Sequence, residues 1–129
     1  MSRPHFLQAL LKKPAAAILR NVRTGNTVAS VLETAFDSAS RNKGLLGRNS
    51  LPPGHALLIV PGTLIHTFAM RFAIDIVFVA RDGRVLKIRP AVPRSRITGA
   101  LGSFAVIEMA AGAFTSSQTQ VGDYLDVVV

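Results

Sequence analysis

From Ile65 to Val79 the chain runs "IHTFAMRFAIDIVFV", and its apolar and polar positions alternate. His66, Phe68, Met70, Phe72, Ile74, Ile76 and Phe78 occupy even positions, while Thr67, Ala69, Arg71, Ala73, Asp75, Val77 and Val79 occupy odd ones. A period of two predicts a β-strand with its aromatic and aliphatic groups on one face and its charges on the other. Fifteen residues at about 3.3 Å each would reach roughly 50 Å, too far for a small domain, so a bend or bulge is expected near Arg71 to Ala73.

The same logic parses the flanks. Ala16 to Arg23 and Thr27 to Leu32 predict a hairpin turning at Gly25-Asn26. "TAFDSASRNKGLLGR" changes period, and Thr34 with Asp37 resembles a weakened capping box, so a helix is expected from Thr34 to about Lys43, stopped by Gly44. "NSLPPGH" predicts an extended loop and Ala56 to Val60 a short buried strand ended by Pro61-Gly62. A three-residue turn, Arg81 to Gly83 with Gly83 left-handed, would pair Phe78 with Leu86 and Ile76 with Ile88, keeping apolar groups off Lys87 and Arg89. "AVPRSRITGALGS" predicts a long irregular loop, Ala105 to Met109 a strand, "AAGAF" a helical turn, and Tyr124 to Val129 a last strand after the turn Val121 to Asp123. The expected fold is therefore α+β and mostly β: a curled sheet or partly open small barrel with one main helix. Residues 1–14 are expected to form a tail, and 15–129 a single strand-rich domain.

Composition narrows the chemistry. Nearly half of the 129 residues are apolar and 17% are charged, which excludes the disordered and collagen-like classes. No cysteine is present, so disulfides, thiolate nucleophiles and Cys-based zinc sites drop out. "MSRPHFLQALLKKPAAAILR" lacks the continuous apolar core of a signal peptide, and the expected location is the cytoplasm. Fifteen Lys and Arg against seven acids give a net charge of +8, concentrated between Arg81 and Arg96. That surplus attracts anionic ligands, acidic partners or nucleic acid.

At "GLLGR", "ALLIVPGTLIHTFAMRFAIDIVFVARDGRV", "VIEMAAG" and "VGDYL" the sequence resembles the prokaryotic domain-of-unknown-function family 192, over about Ala16 to Val129. The resemblance implies a compact strand-rich domain and carries no assigned activity, substrate or cofactor. Gly44, Leu45 and Arg48 match the family's motif after its first helix. His66, Thr67, Phe68, Met70, Arg71, Ile74 and Asp75 match its central motif, and Asp82 with Gly83 its hairpin turn. Glu108 with Gly112 and Gly122 with Asp123 match its last two motifs. The chain departs at Ala69, where Gly or Trp is usual, and at Ala73, where many members carry Pro.

Three residues are candidates for acid–base chemistry. His66 carries an imidazole, a general-base and ligand group, at a strand end that projects it toward a cleft, although a core-edge ring bonded to a carbonyl is the more frequent use of such a histidine. Asp75 shares a face with Arg71 and Arg81, which favours cross-strand pairing over a dyad with His66. Glu108 interrupts an apolar run and calls for a partner, for which Arg48 and Arg71 are the candidates. The three histidines lack metal-ligand spacing, the serines lack a nucleophile elbow, and no phosphate-cradling glycine motif occurs, so no metal or cofactor is expected. The leading expectation is a non-catalytic binding or accessory module for an anionic small molecule or partner, with Arg48, His66, Phe68, Arg71, Asp75 and Arg94 at its site. The alternatives are a hydrolase using His66 as general base, and nucleic-acid binding through residues 81–96.

Overall fold

The computed structural model describes residues 5–7 and 17–129. Its centre is β6 (Ile74–Val79), buried at every position because both faces of the sheet around it are covered. That sheet has the order β3 (Val31–Ala35), β4 (His55–Ile59), β9 (Ala105–Ala110), β6, β7 (Val85–Val92). On one face Val77, Ile107 and Leu58 pack against Leu19 and Leu125 from a second sheet, β10 (Leu125–Val128), β1 (Ile18–Asn21) and β2 (Thr27–Ala29), and against Phe114 of α2 (Ala113–Ser116). On the other, Ile74, Ile76, Phe78 and Leu57 meet Leu45, Met70 and Ile65. Ile65 belongs to a two-stranded ribbon, β5 (Leu64–His66) with β8 (Ile97–Gly99). The fold is α+β and mostly β, as expected, and its sheets do not close into a barrel.

Several expectations need correction. The Ile65 to Val79 segment is two strands in different sheets, separated by a turn in which Ala69 takes φ 62. The alternation persists, but its odd face in β6 packs into the first core, with Leu19 and Leu125, rather than facing solvent, and its even face into the second. The left-handed backbone at Ala69 accounts for the usual glycine there, since a Cβ is disfavoured at that φ.

The main helix, α1 (Ser38–Lys43), starts four residues later than expected. Thr34 and Ala35 are held in β3, which runs parallel to β4, and Asp37 is itself the N-cap, its carboxylate accepting from Ser40 N at 2.8 Å. Gly44 ends the helix as expected, and α1 is the crossover of a βαβ unit that hydrophobic period alone did not disclose. The first hairpin forms, but only to Ala29; Val31 onward joins the central sheet. Within the expected loop after β7, Ile97–Gly99 instead forms β8.

The turn after β6 has its three residues, with Gly83 at φ 89, and Val79 pairs with Val85. A Cβ on Gly83 would run into the carbonyl oxygen of Leu125, so only glycine fits. Beyond it a bulge shifts the register, so Phe78 pairs with Lys87 and Ile76 with Arg89 rather than with Leu86 and Ile88. The apposition is tolerated because lysine is amphipathic: Lys87 Nζ lies 6.0 Å from the Phe78 ring centroid and donates to the Gly99 carbonyl at 2.7 Å.

Of the expected tail, residues 1–4 and 8–14 lie outside the described residues, while Phe6 is buried in the first core. Beside β10, Asp123 accepts from Arg23 Nε at 2.7 Å, Asn21 Nδ2 at 2.9 Å and Gln120 N at 2.8 Å. Its hydrogen bond with Arg23, ahead of those from Asn21 and Gln120, lowers its pKa to about 2. A lowered carboxylate pKa stabilises the fold above the ordinary aspartate range and ceases to do so as the group protonates. The contribution of Asp123 is therefore expected to be constant above about pH 5 and to be lost between about pH 4 and 2, and Asp123→Asn is expected to remove much of the slope of the denaturant midpoint in that acid window.

Candidate functional site

One rung across the central sheet carries the charges of the second core: Glu33 on β3, Leu57 on β4, Glu108 on β9, Ile76 on β6 and Arg89 on β7. Each charge is separated from the next by an aliphatic side chain. Glu33 at one end is satisfied by Arg48, which donates from Nη1 at 3.0 Å and Nη2 at 2.9 Å. The Arg48 guanidinium holds the Glu33 carboxyl below its usual range. His55 adds a contact to the same carboxylate at 3.7 Å.

Glu108, in the middle of the rung, has no such partner. It is 4% exposed, and no hydrogen bond or ion pair reaches it from the described residues. The expected partners are engaged elsewhere, Arg48 on Glu33 and Arg71 on Asn49 Oδ1 at 3.0 Å. Burial without a countercharge pushes its pKa up to about 7.

The carboxyl faces a cleft of about 240 Å³ between the end of α1, the loop after it and the β5 strand. Arg41, Lys43, Gly44, His66 and Met70 line it together with Glu108. Gly44 brings the helix end so near that a Cβ there would lie 3.5 Å from Glu108 Oε1. Lys43 is exposed at the mouth, and Arg41 braces the wall by donating to the Phe36 carbonyl at 2.6 Å. His66 is exposed and lies against Phe68, ring centroids 5.3 Å apart. Sequence reasoning singled out Glu108 and His66 but missed Arg41, Lys43 and the role of Gly44; the signal available was the "GLLGR" match directly after the helix.

The other candidates lie apart from this cleft. Asp75 is on the opposite face of the sheet, fully buried, and serves backbone amides rather than the arginines that share its parity. It accepts from Ala91 N at 2.8 Å and from Gly112 N and Phe114 N at 3.1 Å, tying the irregular end of β7 to the start of α2. His66 and Asp75 are therefore not brought together. Arg71 and Arg94 are exposed beyond the ribbon. Thr67 fixes the loop carrying Arg94: its hydroxyl donates to the Pro93 carbonyl at 2.7 Å and accepts from Arg96 N at 2.9 Å. A second, wider concavity of about 410 Å³ lies between β2, β9 and α2, with Met109, Gly112 and Ser116 in its wall, and it contains no acidic side chain. Among the described residues no group of three or more His, Asp or Glu side chains is placed to hold a metal ion. No helix among them is long and apolar enough to cross a membrane.

Two solved structures share this architecture. A "putative transcription regulator" from Sinorhizobium meliloti 1021 superposes with a TM-score of 0.75 at 24% identity, over 86% of this chain and 91% of that one. A protein of unknown function from Novosphingobium aromaticivorans DSM 12444 does so with a TM-score of 0.74 at 23% identity, over 85% and 82%. At those identities the likeness is one of fold. No curated protein matches the chain. The model of DUF192, described as an uncharacterized ACR, matches residues 20–127. With nearly its whole length matched, the chain belongs to the DUF192 family.

Proposed function

We propose that this domain binds a small anionic molecule in the cleft floored by Glu108. The observation that carries the reading is a buried carboxyl without a protein partner, facing a cavity that has Lys43 and His66 at its mouth. Such a group costs stability wherever it is charged, and a ligand atom is what its position leaves room for. In its neutral form Glu108 donates a hydrogen bond to an oxyanion, while Lys43 supplies long-range attraction. The apolar wall of Ile59, Leu64 and Met70 suits a short hydrocarbon body behind the anionic head.

The pH dependence has a definite sign. An anion seated beside Glu108 favours the protonated acid, so affinity is greatest below about pH 6 and falls as pH rises through about 7, by up to about tenfold per unit. Titrating the protein with butyrate and with inorganic phosphate, followed by amide chemical shifts, tests this. Saturable shifts at Gly44, His66 and Glu108 that weaken with pH, and lose that dependence in Glu108→Gln, are expected. Absence of saturation at every pH, or affinity indifferent to Glu108, would refute the proposal.

One observation favours a second reading. His66 and Glu108 line the same cleft, and an imidazole together with a carboxyl group is a side-chain set that acid–base hydrolysis uses. Turnover of an activated ester by the native protein, lost in both His66→Gln and Glu108→Gln, would favour that hydrolase. For nucleic-acid binding through residues 81–96 the support is weaker, because Arg81 lies over the Phe104 ring at 4.4 Å and Lys87 is bonded to the Gly99 carbonyl.

A further inference from the structure

The β5–β8 ribbon has an inner and an outer face. Ile65 packs on the second core and Thr98 is buried, so their neighbours Leu64, His66 and Ile97 point outward. Leu64 is 67% exposed and Ile97 62%, and Ile97 is the cross-strand partner of His66, on whose ring the half-exposed Phe68 lies. Leu101, in the turn just after β8, is completely exposed. Large aliphatic groups gathered on one outer face, with no element among the described residues covering them, mark an interaction surface.

The charge around this face is of one sign. Residues 61–73 and 92–103, which build the ribbon and its flanks, contain Arg71, Arg94 and Arg96 and not one Asp or Glu. All three arginines are exposed. Their placement is fixed: Thr67, itself buried, holds the loop through the Pro93 carbonyl and Arg96 N, and its own backbone N–H donates to the Arg96 carbonyl at 2.9 Å. The clamp sets the backbone of the loop carrying Arg94 and Arg96 beside the aliphatic face.

We propose that the outer face of the β5–β8 ribbon docks on an anionic lipid bilayer, with Leu64, Ile97 and Leu101 entering the interface and Arg71 and Arg94 meeting the headgroups. Aliphatic side chains at the centre and arginines at the rim match the layering of such a surface, apolar beneath and anionic above. Each arginine near an anionic leaflet is worth roughly fivefold in partitioning, so binding is reversible and depends on the arginines and the aliphatic face together. A single-stranded nucleic acid fits less well, because bases stack on aromatic rings and the only rings on this face are those of His66 and Phe68, which lie against each other beside the aliphatic groups. The face adjoins the neighbouring cleft and shares Leu64 and His66 with it, whereas Ile97, Leu101, Arg71 and Arg94 lie outside the cleft.

Cosedimentation of the full chain with vesicles of phosphatidylcholine alone, and of phosphatidylcholine containing phosphatidylserine, tests the proposal. Binding to the anionic vesicles only, weakened by salt, is expected. Leu64→Ser with Ile97→Ser, and separately Arg71→Glu with Arg94→Glu, are each expected to lower it at least about tenfold while the thermal midpoint stays near that of the parent. Three outcomes would overturn it: no sedimentation with either vesicle, equal binding to neutral vesicles, or full retention of binding in the Leu64/Ile97 variant. Tight, salt-sensitive binding to a single-stranded oligonucleotide without vesicle binding would assign the same face to nucleic acid instead.

Discussion

Asp75→Ala is expected to destabilise the fold by about 3–5 kcal/mol, because it leaves three backbone N–H groups without their acceptor in and beside the core. The donors belong to separate parts of the chain, Ala91 in β7 and Gly112 and Phe114 at the start of α2. No local rearrangement can serve them all. Against a typical stability of about 5–15 kcal/mol, the loss would leave a substantial unfolded fraction at moderate temperature. Urea denaturation measures it directly. A change below about 1 kcal/mol would mean that water or another side chain takes over the carboxylate's bonds. Asp75→Asn is expected to fall between the two, since one amide oxygen still accepts while its NH2 faces other donors.

The second large effect has the opposite sign. Glu108→Gln is expected to stabilise the protein, and to do so only at neutral and alkaline pH. Folding raises the Glu108 pKa from 4.5 to about 7, so the native state keeps a proton that the unfolded chain gives up between those values. Below about pH 4.5 both states are protonated and the residue carries no penalty. As pH rises the penalty grows, and above about pH 7 it levels off near 3 kcal/mol. Glutamine keeps the shape and cannot ionise, so the stability difference between variant and parent should trace that rise. Denaturant titrations at pH 4.5, 6 and 8 follow it. A variant less stable than the parent at pH 8 would show that the carboxylate has a stabilising partner, and the ligand-site reading would fail with it. A group that costs stability in the free protein is what a binding site built around it requires.

These two acids also mark how far the sequence could be read. Both were singled out, Asp75 by its parity with arginines and Glu108 by its place in an apolar run. Their partners were not legible. The amides that hold Asp75 come from 16 to 39 residues away, and a backbone N–H has no signature in a sequence. Glu108 was assigned a salt bridge by the rule that buried charges pair, but Arg48 has a nearer carboxylate in Glu33. The cleft itself depends on where the end of α1 crosses β9, a matter of tertiary placement. Two-residue alternation located β6, and Asp82-Gly83 the turn with its left-handed glycine. Register beyond that turn was lost because a lysine was treated as purely polar, whereas Lys87 pairs with Phe78 across the strands with its ammonium 6.0 Å from the ring centroid. The alternation from His66 to Phe78 was also genuine, yet one period spanned two sheets, since pattern records which way a side chain faces and not which strand it joins.

The bulge that undid the predicted register bears on solubility. β7 is the last strand of the five, and an unpaired outer strand ordinarily invites a neighbouring molecule to add to it. Beyond Val85 this one presents Lys87, Arg89 and a proline that has no N–H to give, and then turns aside at Ala91, whose φ is 46. An incoming strand would meet like charges, a missing donor and a twisted backbone in succession. The irregularity therefore disfavours strand addition along the β7 side of a sheet that is not sealed into a ring.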